Sequence, residues 1–169
     1  EVCNGVSVDP VKEYLTALPD SPNVRKVNAA VGNSSGLDYI YYYPIYEIRN
    51  SSEHFDIEGC AMVGTLHPAI IRNVNLDPAA ASVVQKAVSH RITVDFILRT
   101  YTAHITKPIR LVKIDAEEMD VMLVNGVLDY YKDQVDLLPC LIFFEKTNSR
   151  DLPDLLARLV LNGYVVHDN

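Results

Sequence analysis

The sequence predicts an α/β fold: one open, mostly parallel sheet, doubly wound with helices. Three observations predict it. Short apolar or β-branched runs at Val6–Val8, Val24–Val31, Leu111–Ile114 and Leu141–Phe144 are separated by segments with helical spacing. Leu141–Phe144 is apolar on both faces, as central strands of parallel sheets tend to be. Strand, helix and strand recur in that order, which argues against an antiparallel sandwich. A chain of 169 residues fits one domain with a real core, and 1–169 reads as a single domain.

Gly5-Val6-Ser7-Val8 is the first strand and ends at Asp9-Pro10. Asp9 can cap a helix whose first position is Pro10, where a missing N–H costs nothing. Val11, Tyr14, Leu15 and Leu18 recur at helical spacing, and Pro19-Asp20-Ser21-Pro22 breaks that helix. Val24 to Val31 is a second strand, closed by Gly32-Asn33-Ser34-Ser35-Gly36. Tyr39 to Ile48 is strand-like, with Pro44 marking an edge or a bulge. Residues 50–78, punctuated by Gly59, Gly64, Pro68 and Pro78, read mainly as loop. Ala79 to His90 reads as helix, and Thr93 as the N-cap of a helix over Val94 to Tyr101. The strand Pro108–Asp115 leads into a helix from Glu117 to Lys132, with Met119, Met122, Leu123 and Val127 spaced to face a core. After Leu141–Phe144 come an amphipathic helix over Asp151–Leu161, a stop at Gly163 and a last strand over Tyr164–Val166.

The net charge of −7, without a dense Lys/Arg cluster, disfavours a nucleic-acid partner. The longest apolar run, Leu137–Phe144, is far too short to span a membrane. Cys3, Cys60 and Cys140 are odd in number and have neither disulfide-framework nor zinc spacing, so the cytoplasm or another reducing compartment is expected. Sequons at Asn33 and Asn50 would matter only in a secreted protein. The histidines lack metal spacing, and there is no P-loop, G-x-S-x-G or H-E-x-x-H.

In open α/β sheets ligands bind beyond the carboxyl ends of the strands. The polar residues at those ends are Asp9, Asn28, the Asp115/Glu117 pair and Glu145. An acid ending a second strand is placed to accept hydrogen bonds from both hydroxyls of a ribose, and the same carboxylate can cap its helix. Asp115, Glu117, Glu118 and Asp120 surround one strand-to-helix turn, where helix electrostatics account for them without a metal. Lys113 lies inside an apolar strand, where an ammonium is costly unless paired. It is expected to be largely buried against Asp115, Glu117 or Glu145. The tyrosines of 39–46 read as a half-buried sheet face, as an aromatic wall for a substrate, or as an edge facing a protein partner.

Leu111-Val112-Lys113-Ile114-Asp115-Ala116-Glu117 resembles the "hydrophobic-Lys-Ile-Asp-x-Glu-Gly" signature of FkbM-type methyltransferases, which use S-adenosylmethionine. Arg91–Ile97 is similar to the "Val-x-Thr-Leu-Asp" segment before it, Asn125-Gly126 to the "x-Gly" of the following helix, and Phe143-Phe144-Glu145 to the next "hydrophobic-x-Glu" strand. Upstream, Asn28–Gly32 with Gly36 resembles "x-x-Ala-Val-Gly-x-x-x-Gly", and Val8-Asp9-Pro10 the "Glu-Pro" ending the second strand. The likeness spans nearly the whole chain and is densest over 91–145. Two departures stand out: Glu118 replaces the usual Gly, and the glycine-rich first strand and turn have no counterpart.

The resemblance implies a Rossmann-like class I methyltransferase sheet lacking or truncated at its first strand, in a chain that starts at Glu1 and is expected to be N-terminally incomplete. It implies S-adenosylmethionine as cofactor, with Asp9 on the ribose and Asn28 and Ala29 bordering the adenine. Lys113, Asp115, Glu117 and Glu145 would line the methyl-transfer pocket, and the acceptor would be a hydroxyl of a sugar or small metabolite. The isolated chain is expected to bind the cofactor weakly or not at all, and an N-terminally extended form to bind it. The departures favour a non-catalytic descendant, kept as a structural or partner-binding module with the 39–48 tract as a contact for a protein partner or a second copy, whereas the retained Lys113, Asp115, Glu117 and Glu145 favour the active enzyme.

Overall fold

The computed structural model describes residues 4–45, 64–65, 84–116, 119–146 and 149–167. It is mixed α/β and divides into two compact units, residues 1–92 and 93–169. The first carries β1 (Gly5–Asp9), α1 (Lys12–Ala17), β2 (Val24–Asn28), β3 (Ala30–Gly32), β4 (Gly36–Tyr42), β5 (Gly64–Thr65) and β6 (Gln85–Thr93). The second carries α2 (Val94–Thr102), β7 (Val112–Ile114), α3 (Asp120–Tyr130), a short 3-10 turn (Val135–Leu137), β8 (Ile142–Phe144) and α4 (Leu152–Leu161). Among the described residues the strands form three sheets, ordered β1-β2, β3-β6-β4-β5 and β7-β8. The sheets β1-β2 and β7-β8 are parallel pairs, whereas β4 runs antiparallel to β5 and β6.

In the first unit, β1 and β2 pair in register with Val6 opposite Arg25 and Val8 opposite Val27. The intervening helix buries Val11, Tyr14 and Leu15, as its spacing dictates. Leu18 is exposed because the helix ends at Ala17. Val11 and Tyr14 pack with Ile40 of β4, and Tyr42, Ile45 and Ala87 close around them. The Tyr14 hydroxyl, which burial pushes well above the usual tyrosine range, donates to the Tyr43 carbonyl at 2.7 Å.

The expected strand Val24–Val31 is divided. Its first part pairs with β1; then the chain changes partner at Ala29, and Ala30 begins the strand beside β6. The Ala29 N–H still donates to the Asp9 carbonyl at 3.1 Å, while the Ala30 N–H turns to the Ser89 hydroxyl at 3.2 Å.

The helix expected over Ala79–His90 is a correction: its described part is the strand β6, and 79–83 lie outside the described residues. Period two decides the matter. Lys86, Val88 and His90 are exposed, Ala87 and Ser89 turn inward, and β6 matches β4 residue for residue from Gly36↔Arg91 to Tyr42↔Gln85. Pro44 falls past the end of β4 rather than within it, and 46–48 lie outside the described residues. Of the expected loop 50–78, only Gly64 and Thr65 are described, paired with Tyr42 and Tyr41.

Gly32 is fixed by a close approach. A Cβ there would stand 2.6 Å from Cδ of Arg91. Arg91 cannot easily yield, because its guanidinium donates to the Ser34 carbonyl (2.9 Å), the Ser34 hydroxyl (3.0 Å) and the Asp38 carboxylate (2.6 Å). Gly32→Ala should therefore cost about 1–3 kcal/mol by overpacking. Urea unfolding checks this, and in an Arg91→Ala background the penalty should largely vanish.

In the second unit, Thr93 caps α2 as expected, its hydroxyl accepting from the Phe96 N–H at 3.1 Å. The next helix runs from Asp120 to Tyr130 within the expected 117–132 and buries Val121, Leu123, Val124, Val127 and Leu128. α4 packs on α3 through Leu155 and Leu159, and Arg158 clamps the pair by donating to Asn125 at 2.8 Å and Asp129 at 2.6 Å.

α4 ends at Gly163 (φ 88), where the N–H groups of Gly163 and Tyr164 donate back to Val160 and Leu159. That left-handed turn satisfies carbonyls a helix end leaves open. It also explains why the last strand expected over Tyr164–Val166 does not form. The Tyr164 N–H is used by the turn and its hydroxyl is anchored on the Pro139 carbonyl at 2.6 Å, while Val165 is exposed.

The pairing of β7 with β8 aligns Val112 with Ile142 and Ile114 with Phe144. Only one side of this pair is covered among the described residues: Ile114 is buried, whereas Leu111, Leu141 and Phe143 are exposed. Two-sided apolarity in the sequence thus corresponds here to one packed face.

Candidate functional site

At the carboxyl end of β1, burial and a hydrogen bond act on one carboxylate. Asp9 Oδ1 accepts the Val11 N–H at 2.6 Å, which holds the turn into α1. Asp9 is half-buried, and burial raises its pKa, opposed by that N–H. Oδ2 takes no partner among the described residues. Asn28 closes the turn from β2 by donating its side-chain amide to the carbonyls of Asp9 (3.0 Å) and Pro10 (2.9 Å). Ala29 is buried and linked to Asp9 through its own N–H. The three residues expected at the ribose and adenine therefore gather at one strand end. Asn28 spends its side-chain N–H groups on the backbone, and its amide oxygen takes no partner among the described residues.

The sign of the Asp9 shift sets a pH dependence. A carboxyl that binds its proton more tightly in the folded chain than in the unfolded one leaves stability complete below the unfolded pKa. Stability then declines as pH rises from that value through the folded pKa. Asp9→Asn keeps an oxygen for the Val11 N–H and removes the buried charge. Its melting temperature should equal or exceed that of wild type at pH 7, with the gap closing on acidification, as thermal scans across pH would show.

At the carboxyl ends of β7 and β8 stand the residues expected around the acceptor. Lys113 Nζ meets Asp115 Oδ2 at 3.0 Å, with side chains 58% and 55% exposed. The pair exists, but the expected burial does not. Lys113 alternates with Val112 and Ile114 onto the open face of the strand, where its ammonium reaches water. An exposed pair is worth about 0–1 kcal/mol, not the cost of stranding a buried charge. Lys113→Met should accordingly shift the urea midpoint by no more than that.

Glu145 is exposed just past β8, and Glu117 lies outside the described residues. The residue that composition did not single out is Asp120. It is fully buried, with Oδ2 accepting the Ala116 N–H (3.4 Å) and Oδ1 the Glu145 N–H (3.3 Å). Its signal in the sequence was an acid opening an otherwise apolar helical run.

Among the described residues, no group of three or more His, Cys, Asp or Glu could hold a metal ion. None of the described helices is long and apolar enough to cross a membrane. No family model, no curated protein and no solved structure matches the chain.

Proposed function

We propose that this chain belongs to an S-adenosylmethionine-dependent O-methyltransferase acting on a hydroxyl of a sugar or small metabolite, built on a Rossmann-like sheet. The observation that carries the reading is Asp9. It is a half-buried carboxylate at the carboxyl end of a parallel strand, with its pKa raised by burial and one oxygen left unspent among the described residues. A carboxylate perturbed by burial is a functional-site candidate, and ligands of open α/β sheets bind beyond the carboxyl ends of the strands.

The fit to the cofactor is local. Asp9 Oδ2 would accept from a ribose hydroxyl, and the Asn28 amide oxygen and the Ala29 backbone would border the base. The cofactor supplies an electrophilic methyl on its sulfonium. This chain's residues would bind, orient and move a proton. Asp115 or Glu145 would accept the proton of the acceptor hydroxyl, and Lys113, 3.0 Å from Asp115, would steer the oxygen.

Calorimetry with S-adenosylmethionine tests this on the protein as its cell makes it. Wild type should bind, and Asp9→Asn should bind at least about tenfold more weakly, the loss of a hydrogen bond to a charged group, while its melting temperature does not fall. Absence of binding by wild type, or equal binding by both, overturns the reading.

A second reading, a non-catalytic partner-binding module, is favoured by one specific observation. The outer face of β4 and β6 presents Leu37, Tyr39 and Val88 to solvent, with Lys86 Nζ 3.8 Å above the Tyr39 ring. A failed cofactor titration, together with loss of self-association or partner capture in Tyr39→Ser, would move the assignment there.

A further inference from the structure

Asp120 is the one charged side chain fully withdrawn from solvent among the described residues. A carboxylate at the start of a helix would ordinarily face water and the helix dipole at little cost. Burying it costs several kcal/mol unless its oxygens are matched by donors. Here each oxygen is given to a different loop. Oδ2 takes the N–H of Ala116, directly after Asp115, and Oδ1 takes the N–H of Glu145. Both N–H groups lie past the last rung of the ladder, Ile114↔Phe144, where strand pairing no longer serves them.

We propose that Asp120 is a positioning residue. Its buried carboxylate is a latch that holds the ends of β7 and β8 at a fixed spacing and so sets where the exposed carboxylates of Asp115 and Glu145 stand. It touches no substrate itself. The role given to those two carboxylates rests on the methyltransferase reading; the latch does not. Charge is needed for the geometry: a carboxylate offers an acceptor to both loops, whereas an asparagine in the same place offers one acceptor and one donor, and a donor faces another donor across one of the two contacts.

Amide hydrogen exchange read by NMR tests the latch. In wild type the Ala116 and Glu145 amides should be protected well beyond exposed loop amides. In Asp120→Asn at least one of them should exchange at least tenfold faster, while Val124 and Leu128 in α3 keep their protection. The carboxyl carbon resonances of Asp115 and Glu145 should broaden or split as the two ends lose their fixed spacing, and Asp120→Glu, which restores the carboxylate, should recover part of the protection. A uniform loss of protection across α3 would make Asp120 a general stability residue and overturn the proposal. So would free exchange of both amides in wild type, which needs no folded variant to observe. Calorimetry separates the two claims. Cofactor binding absent from wild type sinks the methyltransferase reading and leaves the amide result to decide the latch; binding present with unchanged amides does the reverse.

Discussion

Leu155→Ala should lower the stability of the second unit by about 2–5 kcal/mol, the range for truncating a buried leucine. Leu155 is 1% exposed on α4, and Leu128 (1%) and Val124 (0%) are equally withdrawn on the helix it packs against. The Arg158 clamp to Asn125 and Asp129 fixes the two helices and limits how far they can relax into the space left behind. Leu161, on the same helix but 86% exposed, is the control, since Leu161→Ala should stay within about 0.5 kcal/mol. Urea unfolding followed by circular dichroism compares the two. Equal effects would mean that α4 does not pack as described.

Gly126→Leu is expected to be comparably severe for the opposite reason. A Cβ at Gly126 would already lie 3.3 Å from both Cβ and Cγ2 of Val94, so α2 approaches α3 across a glycine. Alanine at this position sets a helix-propensity gain of about 1 kcal/mol against a tight contact, and a near-neutral result is expected. Leucine adds atoms with nowhere to go and should cost about 1–3 kcal/mol or more by separating the helices. Val94→Ala in the same chain should return part of the loss. If Gly126→Leu unfolds at the wild-type urea midpoint, the close approach is absent in solution.

What was legible follows from how far each signal depends on distant partners. Thr93 as a cap, Gly163 as a stop and the Val11/Tyr14/Leu15 spacing depend on neighbours within a turn, and each is found where the sequence puts it. The Ala29 break was hidden because it depends on Ser89, 59 residues away from Ala30, drawing the chain to a second sheet. The alanine-rich 79–90 stretch looked helical because local propensity favours helix; its described part became a strand because β4 offers a full antiparallel ladder. Lys113 was expected inside because its neighbours are apolar, but which face of a two-stranded pair is covered is a tertiary fact. The candidate site divides the same way. Asp9 was visible as the acid ending a strand, while Asp120 was one acid among four until its burial and its two loop contacts distinguished it.

The proposed methyltransferase activity requires the turn at Asp9 to grip S-adenosylmethionine. Titrating the cofactor into the isotope-labelled protein as its cell makes it, and following backbone amide resonances, tests this most directly. Val11, whose N–H rests on Asp9 Oδ1, and Asn28 and Ala29 beside it should shift saturably, and Asp9→Asn should raise the cofactor concentration needed for half of those shifts at least about tenfold. Resonances of this turn that stay fixed while the protein is folded would rule out cofactor binding there.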